Sequence, residues 1–306
     1  MRSASAAATW LIAVMTVTPM AGQSPQTKIL VAHRGASAYA PEHTIPAYEL
    51  AIAQGADFVE QDLAVTKDGV LVCVHDLTLE RTTDVEAVFP DRFVDVKVGP
   101  GAGRHWLVND FTLDEIKRLD AGSWFDKKFA GARIPTFQEA IDLVRGRAGL
   151  YPELKDPEFY GQRGVRPERL FAEILQRNGL LVDSGTPVIL QSFDETTLQK
   201  AARDIPQVPR VFLVEPKDAA GLDTAEKVRE IARWATGLGP SKVIVANQPA
   251  LVKWAHQAGL SVTPWTFRSG TTGGYASVRE EMSHFLYTLG VDALFTDNPD
   301  QFPRRP

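Results

Sequence analysis

From residue 28 to the end of the chain, short apolar runs bounded by turn residues alternate with stretches whose apolar positions recur at helical spacing. Alternation of this kind is the pattern of βαβ units around a parallel sheet. Strands are predicted at 28–33, 57–63, 70–75, 149–153, 187–191, 209–214, 242–246, 260–266 and 292–296, and helices at 46–54, 136–145, 167–178, 195–203, 223–236, 249–258 and 276–288. Only Thr66-Lys67-Asp68-Gly69 separates the second run from the third, whereas a parallel crossover needs about a dozen residues. Residues 70–75 are therefore expected to return antiparallel. The eight runs that remain predict an α/β protein built on a single (β/α)8 TIM barrel.

Residues 77–135 break the alternation. They are rich in Asp, Arg, Gly and Phe, with one short helical pattern at 113–119, and predict an insertion after the antiparallel strand that caps or flanks the barrel mouth. The Gly270–Gly274 cluster lacks the Lys-Ser/Thr ending of a phosphate-binding P-loop.

The chain has 306 residues, and a barrel of this kind takes about 250 as one unit. With 44% hydrophobic and 23% charged residues it has ample apolar material for a large core. A net charge of -5 gives no basic footprint for nucleic acid and suits a small diffusible substrate. Residues 1–22 stand apart: Arg2, an apolar run over 6–17 and a small-residue exit have the layout of a cleavable signal peptide, too short to span a bilayer. That layout predicts a periplasmic or secreted protein whose catalytic domain spans 28–306. The only cysteine, Cys73, can form no internal disulfide, and no cysteine near residue 22 could carry a lipid, so no stable membrane anchor is expected. Nothing in the sequence sets an oligomeric state.

In such a barrel the active site lies at the C-terminal ends of the strands. The first run ends His33-Arg34-Gly35. The second contains Glu60 and Asp62, which the period of two places on one face. If the hairpin turn centres between Lys67 and Asp68, His75 lies opposite Glu60 and Cys73 opposite Asp62, which carries His75 to the carboxylates. The third parallel run contributes Glu153 and Lys155, and the fourth ends Gln191-Ser192-Phe193, with Gln191 on the substrate side. Glu60, Asp62 and Glu153 make an all-oxygen ligand set for a hard divalent cation, Ca2+ ahead of Mg2+, rather than zinc. Arg34 and Lys155 are suited to a phosphate, and His33 and His75 to activating a nucleophile and protonating a leaving alkoxide.

Blander readings exist for each of these. An isolated strand acid is often half of a buried salt bridge, and Arg34 and Lys155 could simply neutralise the acids. Three acids against two bases still leave a cation deficit. His256 and His284 fall in predicted helices and suit surface or packing roles, His105 could line the mouth, and His43 is read as shaping the start of the first helix beside Pro46. Trp265, at a strand end, suits either core or a substrate wall.

These residues fall in a familiar order. HRGAS at 33–37, PEHTIPAYELAIAQGAD at 41–57, EQDLAVTKDGVLVCVHD at 60–76, PELK at 152–155, QSFD at 191–194, TPWTFR at 263–268 and FTDNPD at 295–300 resemble the glycerophosphodiester phosphodiesterases, especially their periplasmic bacterial branch. The resemblance implies a (β/α)8 fold with an insertion after the His75 strand, and hydrolysis of glycerophosphodiesters such as glycerophosphocholine or glycerophosphoethanolamine to sn-glycerol 3-phosphate and an alcohol. It implies that Glu60, Asp62 and Glu153 bind the divalent metal, that His33 and His75 are the catalytic pair, that Arg34 and Lys155 contact the phosphate, and that Trp265 borders the alcohol. His43 stands where the commoner PENT pattern has asparagine, and Phe267-Arg268 where Val-Asn often follows the tryptophan; both departures bear on alcohol specificity more than on catalysis. A related lipid-cleaving reading, a phospholipase of the phosphoinositide or sphingomyelinase D type, would use Phe89, Phe93, Trp106, Phe111, Trp124 and Phe125 of the insertion as exposed apolar groups at a membrane. A barrel that only binds polyol phosphates would not need both histidines.

Overall fold

The computed structural model describes residues 27–304 apart from 99, 100 and 183; the leader expected over 1–22 lies outside them. Its strands are β1 (Ile29–Ala32), β2 (Phe58–Val65), β3 (Leu71–Cys73), β4 (Val94–Val98), β5 (Gly101–His105), β6 (Gly149–Leu154), β7 (Leu190–Ser192), β8 (Arg210–Val214), β9 (Gly237–Pro240), β10 (Ser261–Val262) and β11 (Ala293–Thr296). Eight of them form a parallel sheet in the order β10-β9-β8-β7-β6-β2-β1-β11, and β3 pairs antiparallel with β2. The ends of that order meet through Asp292 N donating to Val262 O at 3.0 Å and Phe267 N to Phe295 O at 2.9 Å, which closes the TIM barrel.

The barrel is filled in layers by the period of two. Val31, Phe58, Tyr151, Val211 and Phe295 pack together as an apolar plug inside it. Two residues further along the same strands stand His33, Glu60, Glu153, Leu213 and Asp297. The alternation that buries the plug therefore presents a polar layer at the C-terminal mouth. Small residues make room for the rings: a Cβ on Gly149 would lie 2.3 Å from the Phe58 ring. Outside the barrel, the helices at Ile45–Ala53, Phe137–Val144, Pro167–Arg177, Glu195–Asp204, Ala225–Ile231, Ala250–Gln257 and Val278–His284 bury apolar faces against the sheet in the main core. No helix of the described residues is long and apolar enough to cross a membrane.

The segment 77–135 builds its own small core, in which Leu79, Val85, Trp106, Val108, Phe111, Ile116 and Leu119 are buried against Val72 and Val74. It carries the β4–β5 hairpin and a helical turn, Leu113–Ile116, whose Thr112 and Glu115 form a reciprocal cap.

Two local expectations are overturned. The strand predicted at 242–246 is a helix, Lys242–Asn247, and the barrel strand is Gly237–Pro240. A short apolar run does not distinguish strand from helix. The true strand shows little apolar signal because glycine is needed there: a Cβ on Gly237 would meet Ser261 Oγ at 2.4 Å, and one on Gly239 would meet Leu213 Cδ2 at 2.6 Å. The hairpin register also slips by one residue, so that Cys73 faces Leu63 rather than Asp62. The turn holds three residues, Lys67–Gly69, because Thr66 N bonds Val70 O at 3.0 Å and Gly69 adopts φ 80°. His75 does not face Glu60 across a ladder. The β2–β3 hydrogen bonds end with Val74 N donating to Asp62 O at 2.9 Å, and the bend that follows is what turns His75 to the mouth.

Candidate active site

At the end of β1 the chain turns sharply, with Arg34 at φ 57° and Gly35 at φ 87°. Gly35 is required sterically, since a Cβ there would lie 2.7 Å from the Ala47 carbonyl carbon. The turn leaves the Arg34 N–H donating to Glu60 Oε2 at 2.9 Å. His33 is held by its Nδ1, 2.6 Å from Asp297 Oδ1, while Nε2 lies 3.8 Å from Glu60 Oε2. Burial, with Arg34 beside it, pushes the His33 imidazole below its usual titration range against the pull of Asp297. Asp297 is itself held low: burial opposes ionisation, but His33 and Arg268 outweigh it.

Beside His33 lie the acids. Glu60, Asp62 and Glu153 are all buried, and one carboxylate oxygen from each lies within 4.8 Å of the others. Gln191 Nε2 donates to Glu60 Oε1 at 2.8 Å. Lys155 Nζ donates to Glu153 Oε1 at 3.1 Å and stands 3.5 Å from Asp62 Oδ1, while Arg34 Nε is 3.4 Å from Asp62 Oδ2. The cations do not neutralise the cluster. Burial and the charge of Asp62 push Glu60 well above the usual carboxylate range, and Glu153 up to about 8. Asp62 goes the other way: burial is overcome by Lys155 and by the hydrogen bond from His43. Asp62 Oδ1 is buried without a hydrogen-bond partner. Repelling acids, an orphaned carboxylate oxygen and an all-oxygen donor set fit a divalent cation.

His75 reaches the same pocket from the bend after β3. Its Nδ1 lies 2.6 Å from Asp76 Oδ1. Arg81 grips the other oxygen of Asp76 and also binds Glu42, at 2.7 and 3.0 Å, and Glu42 holds Arg34 at 2.9 Å. Burial again lowers the His75 titration, opposed by the hydrogen bond to Asp76. Each of the two histidines thus has its Nδ1 fixed by a carboxylate.

The resulting cavity, about 160 Å³, is lined by His33, Arg34, Glu60, Asp62, His75, Glu153, Lys155 and Gln191 on its polar side and by Phe193, Leu213, Trp265 and Phe295 on the other. Trp265 is fixed by its Nε1 donating to Gly239 O at 2.7 Å and meets Phe193 edge-to-face at 5.7 Å. All nine residues singled out from the sequence therefore border one pocket. Gln191 also buttresses Glu60.

The sequence reading assigns no role to Asp297, Asp76, Arg81 or Glu42, and ties Arg268 to alcohol specificity, whereas its Nε lies 3.3 Å from Asp297 Oδ2. Asp76 adjoins His75 and Asp297 lies in the FTDNPD segment, but only the fold shows which histidine each supports. His43 was placed at the helix start; Thr44 makes that cap, and the His43 ring bonds Asp62. His105 bonds Glu80 and does not line the pocket, and His256 bonds Asp292 at a barrel edge.

Several proteins similar to this chain carry one activity in their names. A family model described as the glycerophosphoryl diester phosphodiesterase family matches residues 33–301. The chain is 37% identical over 289 residues to a glycerophosphodiester phosphodiesterase of Bacillus subtilis, across 91% of this chain and 86% of that one. It is 31% identical over 334 residues to a glycerophosphodiester phosphodiesterase of Haemophilus influenzae, across 91% and 89%. Among solved structures it resembles a phosphodiesterase of Oleispira antarctica in complex with the product sn-glycerol-3-phosphate, with a TM-score of 0.70, 28% identity and coverage of 90% and 95%.

Proposed function

The chain belongs to the glycerophosphoryl diester phosphodiesterase family, and from that premise we propose that it hydrolyses small glycerophosphodiesters, such as glycerophosphocholine and glycerophosphoethanolamine, to sn-glycerol 3-phosphate and an alcohol. The observation that carries this reading is a pair of histidines, each anchored through Nδ1 by a carboxylate at 2.6 Å, bordering one pocket with three buried acids. The aspartates fix the tautomer, so Nε2 of each ring is the atom that exchanges protons with substrate. One Nε2 accepts a proton from the attacking hydroxyl, either water or the 2-hydroxyl of the glycerol; the other donates one to the departing alkoxide. Arg34 and Lys155 bind the phosphate oxygens, and Trp265 with Phe193 walls the side from which the alcohol leaves.

Glu60, Asp62 and Glu153 would hold a divalent cation, which supplies positive charge opposite a phosphate oxygen as charge develops there. Three carboxylates favour calcium over magnesium, which usually takes one or two carboxylates and keeps its waters. The lipid-cleaving alternative is less well supported, because Trp106 and Phe111 are buried and Phe89 and Phe93 pack on the same small core, leaving Trp124 and Phe125 further out.

The test is release of glycerol 3-phosphate from glycerophosphocholine with Ca2+, with Mg2+ and with EDTA, alongside His75→Ala. Metal-dependent release that disappears in the variant supports the reading; activity on micellar lipid alone would replace it with the lipid-cleaving one. Export is proposed from the 1–22 leader, and is checked by cell fractionation with N-terminal sequencing of the recovered protein.

A further inference from the structure

His43 lies between two buried groups. Its Nε2 is 2.8 Å from Asp62 Oδ2 and its Nδ1 is 2.9 Å from the Tyr48 hydroxyl. The residue is 2% exposed and Tyr48 is fully buried. A carboxylate only accepts, so Nε2 carries a proton and donates it to Asp62. The opposite nitrogen is held by the Tyr48 hydroxyl at 2.9 Å. The ring is therefore anchored between the first barrel helix, through Tyr48, and β2, through Asp62.

The backbone also strains to place it. His43 takes φ 51°, in the left-handed region that non-glycine residues avoid, and its N–H donates to the carbonyl of Arg34, which is likewise left-handed. These two strained residues are the pair that meets Asp62 Oδ2, at 2.8 Å from His43 and 3.4 Å from Arg34 Nε. With Oδ2 occupied, Oδ1 is left without a hydrogen-bond partner, its ion-pair contact being the Lys155 ammonium 3.5 Å away. A carboxylate pinned by one oxygen cannot rotate, and it offers the other in a fixed place.

We infer that His43 is a positioning residue for the cation site: it orients Asp62 so that Oδ1 stays available as a ligand, and Tyr48 orients His43 in turn. This rests on the reading of Glu60, Asp62 and Glu153 as that site. Asparagine fulfils the same requirement, because it tolerates a left-handed backbone and its amide donates; leucine fills comparable space and donates nothing.

The experiment is calorimetric titration of Ca2+ into the metal-free protein, which reads binding without turnover. His43→Leu is expected to weaken the Ca2+ affinity about 10- to 100-fold with an unchanged far-UV spectrum, whereas His43→Asn stays within about threefold of the parent. Tyr48→Phe, which keeps the ring and removes only the anchor, falls between them. Parent-like Ca2+ affinity in a folded His43→Leu protein would overturn the inference. Should that variant not fold, a folded His43→Asn protein that binds Ca2+ more than about tenfold more weakly overturns it instead. Glu153→Gln is the control: if it leaves Ca2+ binding intact, the reading of the three acids fails, whereas its loss beside normal binding in His43→Leu removes the role of His43 alone.

Discussion

His33 Nδ1 lies 2.6 Å from Asp297 Oδ1, joining the end of the first barrel strand to the end of the last across 264 residues of sequence. A buried carboxylate at Nδ1 fixes the imidazole in one tautomer and one orientation, and leaves Nε2 for chemistry. Arg268, 3.3 Å from the other oxygen of Asp297, helps keep that carboxylate ionised.

Asp297→Asn should therefore fold but lose tautomer control of His33. The expected result is a fall in kcat/KM for glycerophosphocholine of about 100-fold or more, with Tm little changed. Steady-state assays beside thermal melts check it. Activity within a few-fold of the parent would make the pair structural only.

Asp76→Asn tests the second histidine. The hydrogen bond that His75 donates to Asp76 raises the His75 titration against burial, so removing the charge leaves desolvation less opposed and moves His75 further down. The limb of the pH–rate profile that reports His75 should shift to lower pH, together with a reduced kcat. A profile with unmoved limbs would take Asp76 out of the site.

Cation binding should depend on pH with a defined sign. In the metal-free protein, burial and Asp62 push Glu153 up to about 8, and a cation needs the carboxylate. Below pH 8 binding must displace a proton, so the apparent affinity falls as pH falls, by up to about tenfold per unit for each proton displaced. Titrations at pH 7 in two buffers of different ionisation enthalpy should show release of about one proton or more per cation, because Glu60 is raised as well as Glu153. Equal apparent enthalpies in the two buffers would refute this.

Gly35→Ala should be destabilising and nearly inactive. The new methyl would stand 2.7 Å from the Ala47 carbonyl carbon at a backbone φ of 87°. Overpacking and backbone strain together predict a loss of about 2–3 kcal/mol in denaturant unfolding. Displacement of the turn that carries His33 and Arg34 should lower activity even at low temperature, where the variant is still folded. A fully active, equally stable variant would show that the turn relaxes.

Much of this architecture is legible in the sequence because it depends on local alternation. The period of two that packs Val31, Phe58 and Tyr151 into the plug also places His33, Glu60 and Glu153 above it. The strand-end position of these polar residues is enough to mark the mouth. Where apolar signal and strand part company, as between Gly237–Pro240 and the helix Lys242–Asn247, the reading fails, since glycine is chosen there by the neighbours Ser261 and Leu213 rather than by its own propensity.

The sequence by itself thus determined the (β/α)8 barrel, the antiparallel return of the strand after Gly69 and nine of the residues bordering the pocket. The tertiary structure decided how those residues are held: the hairpin register that left His75 to be turned by a bend, the aspartate paired with each histidine, and the strained turn that sets His43 on Asp62. The physical reason is that each of these is a hydrogen bond or a steric fit between side chains whose approach depends on loop geometry and on packing. Neither leaves a periodic trace along the chain.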